Sequence, residues 1–595
     1  MTFSKTYPAF PAAGTSFEKT CAALETGARP DSERLNELFR AEWDYTMREY
    51  PEEATLAGYP GQNGRWTDLS PEAVARRKRE LHAPLKTLLT INRDKLTAEE
   101  RLSYDVFRRR YELAVEGSRF PSEYLQITQM EGVQQILVRV LDAMPKFSLT
   151  DLQDFVARLN AYGVLVDQTI TLLEMGMAAG VTAPKITQGH VLNQINDLLA
   201  PQPDESPVLE SLNDLPPSLP ENETTRLRAS ALEALRTVVL PALGRLREFL
   251  SGRYIPCSRG TIAMRDLPDG AEWYDFTVRN MTTTRLTPRE IHEIGLNEVK
   301  RINGEMERTI KDSGFRGSCE EFFKFLRNDP RFYYDTGEDL LAGYRDICKK
   351  ADPELIRLFG MLPRQPYGVK PVPEYLAKSQ PAAFYERGSF SAGRPGYFLV
   401  NLSEIRSRPK WETETLALHE AVPGHHLQIA LADEMENVPD FRRNSYYGAY
   451  IEGWALYAES LGCEMGFFRD VYSRFGHLTS EMWRAVRLVV DTGIHAFGWG
   501  RRQAIDYFYE NAASSEHNAV VEVDRYIVLP AQALTYKIGQ LKIRELRERA
   551  AQQLGGGFDL RAFHDELLRH GAIPLDILEA LVKEWVSVRK NMREK

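Results

Sequence analysis

The chain has 595 residues, 43% of them apolar and 10% aromatic, which suits a protein with a substantial buried core and argues against wholesale disorder. Its 75 basic and 84 acidic side chains leave a formal charge of -9, which gives no electrostatic reason to expect nucleic acid or an anionic membrane as partner. The five cysteines, Cys21, Cys257, Cys319, Cys348 and Cys463, are dispersed and never form a CxxC pair, so neither a disulfide framework nor a cysteine-built zinc site is expected.

The opening stretch, MTFSKTYPAFPAAGTSFEKT, has no basic region followed by an apolar run. No later stretch has the length and apolarity of a membrane span. A cytoplasmic location is expected by elimination. From about residue 28 to 250 the pattern is mostly helical. Leu152, Phe155, Val156, Leu159, Tyr162 and Val166 form one apolar stripe at helical spacing; Leu232, Leu235, Val239, Leu243, Leu246 and Leu250 form another. Pro241 falls inside the second stripe and predicts a kink or break. Pro201 to Asn222, rich in proline, serine and acids, reads as a long exposed connection. Between Tyr254 and Thr284, the partial alternation of Tyr274, Phe276 and Val278 suggests one or two short strands. Thr287-Pro288-Arg289-Glu290 has the makings of a helix start with a capping box.

Residues 360–410 read as irregular. Within them RPGYFLVNLS (394–403), which contains Tyr397 and Asn401, suggests a strand edge able to pair with an extended peptide. The whole is expected to be mainly α-helical, with an N-terminal helical region (1–250) and a metal-binding catalytic region (251–595) that can form one continuous body.

The densest chemistry begins after Trp411, in ETETLALHEAVPGHHLQIA (412–430). Histidine nitrogens suit zinc, and a nearby carboxylate can deprotonate water activated by it. The short motif HExxH would place two histidines four apart on one helical face, but here the histidines after His419 are His425 and His426. On an unbroken helix His425 would lie about 240° around and roughly 9 Å along from His419, and His426 roughly 10.5 Å along. Neither position lets both rings reach one ion at about 2 Å. Pro423 and Gly424 offer a way out: Pro423 cannot donate the helical bond back to His419, and Gly424 is conformationally permissive. A broken or bulged helix folding a later histidine back toward His419 is therefore expected. Glu452 opens a second helical segment, EGWALYAESLGCE, and Glu459 falls seven residues further on a similar face. Both are too far apart along the axis to ligate together, so one can orient a histidine through its second nitrogen.

Further candidates follow. Asp491, His495 and Trp499 cluster, and His495 could donate to a developing oxyanion, as could Tyr526 or Tyr536. Arg487, Arg525 and Lys537 could grip a carboxylate at the end of a substrate, and Arg487 could equally pair with Asp491.

The stretches HEAVPGHHLQ (419–428), EGWALYAE (452–459), DTGIHAFGW (491–499) and EVDRYIVLPAQALTYKIG (522–539) together closely resemble the bacterial DUF885 family, a helical family related to gluzincin metallopeptidases. A weaker resemblance runs over most of the chain, including Leu267 to Val299. The resemblance implies His419, His425 and Glu452 as zinc ligands and Glu420 as general base, with His426, Glu459 and Asp491 as supporting groups or alternative ligands. It implies a metallopeptidase-like helical body with a small β element and an internal cleft. The expected activity is hydrolysis of short peptides with carboxypeptidase-like recognition of the terminus, by Glu420, His495 and Tyr526. The alternatives are a non-peptide amide hydrolase and a non-catalytic metal-containing peptide-binding protein.

Overall fold

The structure, a computed structural model, describes residues 15–26, 29–373, 377, 381–388, 393–512 and 515–593. The described residues are mainly α-helical, with one small three-stranded sheet.

The N-terminal third is helical where apolar residues recur three and four apart. Leu149–Ala179 forms one helix, opened by a capping box between Ser148 and Asp151, and it buries Leu152, Phe155, Leu159, Tyr162 and Val166. The second stripe also becomes helix, but Pro241 does not break it. A π-helical turn at Leu235–Val239 comes just before Pro241, and a second at Leu250–Tyr254 just before Pro256. A proline ring clashes with the carbonyl four residues back and offers no N–H. Widening the turn ahead of it accommodates both defects without bending the chain out of the helical region.

Two other expectations differ from the structure. The connection from Pro201 to Asn222 is not simply exposed: it holds 3-10 turns at Pro203–Glu205 and Pro207–Leu212 and buries Val208 and Leu212. Residues 270–282 form a helix instead of strands. Tyr274 and Val278 are buried one helical turn apart, together with Trp273. Spacing of two, read twice, is also spacing of four, and the helical reading wins because that face packs on Phe120, Ile291 and Leu488.

The helices that build the region of interest are α1 (Pro288–Asp312), α2 (Lys410–Glu420), α3 (His425–Asp433), α4 (Gly448–Ser460), α5 (Val471–His495), α6 (Glu516–Val528) and α7 (Thr535–Leu554). The α1 start is as expected: Thr287 caps it, Pro288 occupies the first turn and Glu290 closes the capping box. Helix α1 runs along α5, and α4 along α7, while α2 packs against both α4 and α5. The close approach of α4 to α7 needs two glycines, since a Cβ on Gly453 would lie 2.4 Å from the Gly539 Cα.

Strands β1 (Tyr367–Pro371), β2 (Ala383–Glu386) and β3 (Gly396–Val400) make the sheet in the order β1-β3-β2, with β1 parallel and β2 antiparallel to β3. Thus β3, which carries Tyr397, is the central strand and has no free edge for a peptide. Of the two edge strands, β1 contacts the helix Gly337–Ala351 and β2 contacts α2.

One apolar cluster joins Phe39, Phe107 and Tyr111 of the N-terminal helices to Phe441, Trp454 and Tyr457 beside α4, and to Leu578, Val582 and Val586 of the last helix, Leu575–Arg593. A second cluster, from Trp66 to Tyr254, lies wholly in the first half of the chain.

Candidate metal centre

Helix α2 ends at Glu420, and the next helix begins at His425. Between them Ala421 and Gly424 leave helical backbone angles, at φ -95°, ψ -110° and φ -76°, ψ -129°. The glycine is required here by crowding: a Cβ at Gly424 would lie 1.9 Å from the His419 carbonyl oxygen and 2.4 Å from that of Leu418. Trp454 Nε1 donates to the Pro423 carbonyl at 2.9 Å, pinning the break to α4. The break brings the His419 and His425 rings to 4.8 Å between centroids, at 86° to one another.

Helix α4 supplies Glu452. Its Oε2 lies 3.7 Å from His419 Nε2 and 3.6 Å from His425 Nε2. The three ligand atoms lie within 4.8 Å of one another and could hold a metal ion. Tetrahedral zinc with bonds of about 2.0–2.2 Å needs donor separations of roughly 3.3–3.6 Å, so the donor set fits by type and nearly by spacing. Seven residues along the same helix face, Glu459 accepts from His419 Nδ1 at 2.8 Å. That bond fixes the tautomer and leaves the Nε2 lone pair turned toward Glu452. Glu459 is itself held by Ser480 Oγ at 3.0 Å and approached by Arg484 at 3.8 Å. Arg484 drew no attention in the sequence, because nothing local marks it; only the α4–α5 packing places it there. His425 Nδ1 is buried without a hydrogen-bond partner among the described residues.

Burial holds the His419 and His425 imidazoles below their ordinary range, the latter at about 4, so both favour the neutral form that ligates. Glu420 is 8% exposed. Burial, and then the neighbouring Glu452, push its carboxyl up to about 8, offset in part by a hydrogen bond from the Tyr385 backbone N–H of β2.

His426 points elsewhere. Its ring packs against Tyr367 and its Nδ1 pairs with the Tyr385 hydroxyl at 3.0 Å, so it braces α3 on the sheet. Asp491 is fully buried, accepting from Tyr274 Oη at 2.6 Å and from the Ala531 N–H, and it secures the turn where Ala531 adopts φ 64°. His495 has both ring nitrogens engaged by backbone: Nδ1 accepts from Met264 N–H at 3.1 Å and Nε2 donates to the Tyr526 carbonyl at 2.9 Å. It has no proton to offer a substrate. Tyr526 is 1% exposed, donates to Glu522 and accepts from Arg487 Nε at 3.1 Å. His495 and Tyr526 are therefore committed inside the fold, whereas the third expected oxyanion donor, Tyr536, accepts from Arg525 at 3.5 Å.

The expected carboxylate anchors are committed too. Arg487 pairs with Glu522 at 2.9 Å, not with Asp491, and stacks over Tyr536. Burial opposes the Glu522 charge, but Arg487 and Arg525 outweigh it and bring its carboxyl down to about 2. Arg525 also donates to Gln532 at 2.7 Å. Lys537 is wholly buried between Glu481 (2.7 Å), Glu298 (2.9 Å) and Gln540 (2.7 Å). Tyr397 lies under Lys370 Nζ at 3.7 Å, and Asn401 donates to the Ala377 carbonyl at 2.6 Å, stitching the end of β3 to the preceding loop.

One phenol near the cluster passed unnoticed in the sequence. Tyr446 precedes α4, and its ring lies beside Gly448, one helical turn before Glu452. It is 67% exposed, and desolvation by neighbouring protein, and then Glu452, hold its hydroxyl above the ordinary phenol range. One of three tyrosines in NSYYGAY carries no local signal.

A family described as "Bacterial protein of unknown function (DUF885)" matches residues 51–582. The chain belongs to the DUF885 family. Solved structures share its fold, among them two of bacterial proteins. One is of a "putative lipoprotein from Colwellia psychrerythraea", with TM-score 0.89 and 28% identity, covering 94% of this chain and 100% of that one. The other, of a "putative lipoprotein of unknown function from Shewanella oneidensis", has TM-score 0.71 and 17% identity, covering 92% and 99%. No curated protein matches the chain. None of these descriptions names a gluzincin peptidase. The Colwellia description overturns the cytoplasmic expectation for this DUF885 protein. An acyl chain, not a spanning helix, holds a lipoprotein to a membrane, so elimination by hydropathy could not decide the matter. No described helix is long and apolar enough to cross a membrane.

Proposed function

We propose that this DUF885 protein is a zinc-dependent hydrolase of amide bonds, acting on peptides with gluzincin-type chemistry. The observation that carries the reading is the placement of a buried carboxylate, Glu420, directly beside a His419–His425–Glu452 cluster whose histidine is already oriented by Glu459. A structural metal site needs no such extra carboxylate. Zinc bound by these three residues supplies Lewis-acid polarisation of a carbonyl and lowers the pKa of water. Glu420 takes the proton from the attacking water and returns it to the leaving amine. Glu459 holds His419 in the ligating tautomer. Tyr446, whose hydroxyl has no hydrogen-bond partner among the described residues, is the group we assign to the developing oxyanion, in place of His495 and Tyr526. Peptide substrates are favoured by β2. Asn401 N–H donates to the Ala382 carbonyl, so the alternating Ala383 and Tyr385 backbone groups turn away from β3 toward the outer edge, where the Tyr385 N–H is taken by Glu420 and the Ala383 N–H and the two carbonyls face outward. Carboxypeptidase-like recognition loses its support, because Arg487, Arg525 and Lys537 are all engaged internally.

A second reading, a metal-containing peptide-binding protein without turnover, is favoured by one observation: His495 and Tyr526, two of the three donors expected from the sequence to serve the oxyanion, are tied up. Zinc content and cleavage of mixed peptides, measured on the same preparations, separate the two. Glu420→Gln should keep one zinc per chain and lose at least about 100-fold in turnover. Glu452→Gln should lose the metal. Wild-type protein that holds zinc and cuts no peptide or simple amide would establish the second reading.

A further inference from the structure

A groove of about 1870 Å³ lies between the N-terminal helices and the wall formed by β2 and α3. A pocket for a small ligand is typically about 300–1,000 Å³, so this one has room for a length of polypeptide. Glu386, the last residue of β2, lines its floor. The residue before it, Tyr385, meets Glu420 through its backbone N–H. The groove lining therefore comes within one residue of the contact between β2 and Glu420.

The far wall presents Leu56 and Phe147. Phe147 is 77% exposed and Leu56 47%. Phe147 is unusual for its position. It directly precedes Ser148, the cap of helix Leu149–Ala179, where an apolar residue ordinarily packs on the fourth helical residue, here Leu152. Leu152 is instead buried in the N-terminal core, and Phe147 stands out from it. Its backbone is nevertheless fixed: Phe147 N–H donates to Asp151 Oδ2 at 2.9 Å, and the neighbouring Lys146 Nζ is tied to the Asp142 and Met144 carbonyls at 2.9 and 3.0 Å. A rigidly mounted, exposed aromatic that makes no local packing contact is a preformed anchor. Among the charged side chains of the groove, Arg387 and Arg364 are paired with Asp433 and Glu434.

We propose that this groove is a distal subsite for extended peptides, with Phe147 and Leu56 binding an apolar side chain several residues away from the bond that is cut. The proposal rests on the hydrolase reading for its register, and it adds a substrate class: unfolded peptides of roughly ten residues bearing an apolar residue toward one end, in preference to di- and tripeptides.

The test uses the full zinc-loaded chain and two fluorogenic peptides sharing one scissile bond, a tripeptide and a dodecamer with a distal leucine. Phe147→Ser and Leu56→Ser should each lower kcat/KM for the dodecamer by about tenfold through KM and leave the tripeptide unchanged. Phe147→Trp should behave as wild type. Equal effects on both peptides, or none, would overturn the subsite. Binding is read separately, from the anisotropy of a labelled dodecamer on the Glu420→Gln protein. If no peptide is cut but the dodecamer binds and Phe147→Ser weakens it, the groove stands and the hydrolase reading falls. If the dodecamer binds no better than the tripeptide, the groove proposal fails, whatever the turnover.

Discussion

Glu459 shows how one side chain governs another's chemistry. By accepting from His419 Nδ1 it decides which nitrogen carries the proton. Removing such a partner typically costs 10–100-fold in metal affinity, so Glu459→Ala should weaken zinc retention by about that factor, measured by competition with a chelator, while leaving the helical content intact. Lys537 illustrates the opposite case, a charge that looked functional and is structural. It sits between Glu298 and Glu481 at 0% exposure. Breaking a buried pair by removing one partner costs about 3–5 kcal/mol, and Lys537→Met should lose stability of that order in urea without altering any preference for free over amidated peptide termini. Burial opposes the Glu481 charge, but Lys537, His477 and Arg301 bring its carboxyl from an ordinary 4.5 down to about 2. A folded-state value below the unfolded one means that stability is present above about pH 4.5 and is lost as the pH falls toward 2. Denaturation midpoints across that window should drop in the wild type, and drop less in Lys537→Met; an identical pH slope in both would exclude the pairing. In sequence, residue type was informative where chemistry is scarce, as with the histidines. Arginine, lysine and tyrosine are common enough that only packing tells an anchor from a core ion pair.

For elements, local punctuation was legible and long-range order was not. Pro423 and Gly424 announced the interruption between α2 and α3, and Thr287 to Glu290 announced the start of α1. The reason for the glycine was hidden, since the sequence suggests unusual backbone angles and the structure shows a carbonyl pressed against its Cα. Gly424→Ala must displace the last turn of α2. We expect helix content by circular dichroism to stay near wild type while zinc binding is lost; a variant that still retains one zinc would show that the histidines can meet by another path. The order β1-β3-β2 could not be read from a segment crowded with proline and glycine, because which strand lies at the edge depends on partners 11 to 29 residues away in the chain. Two π turns ahead of prolines were likewise invisible to a periodicity argument, which keeps its 3.6-residue register and registers only the proline.

Across the whole molecule, the region carrying the metal-binding residues borrows its support from the other end of the chain. Phe441, just ahead of Tyr446, packs against Phe39 and Phe107, with ring centroids 4.8 and 5.2 Å apart. Arg442 reaches Ser103 at 3.0 Å. A fragment beginning near residue 251 would leave that aromatic contact open, and we expect it to bind a hydrophobic dye and elute as aggregates in size-exclusion chromatography; a monomeric fragment that binds zinc would show the C-terminal region to be self-sufficient. The mixed helical class was readable from composition and periodicity, whereas this exchange of core between distant segments was not, because apolar stripes do not name their partners.

That same cluster has a bearing on how the chain is made. Its members run from Phe17 to Val586. A ribosome releases the first of these residues long before the last, at about 5–20 residues per second. Phe39 and Phe107 must therefore wait at least about 17 seconds for Phe441, with an apolar face uncovered. During that interval the nascent chain is a client for whatever holds unfinished proteins open, and a stop codon anywhere before Phe441 would leave the beginning of the chain, as much as its end, without a partner.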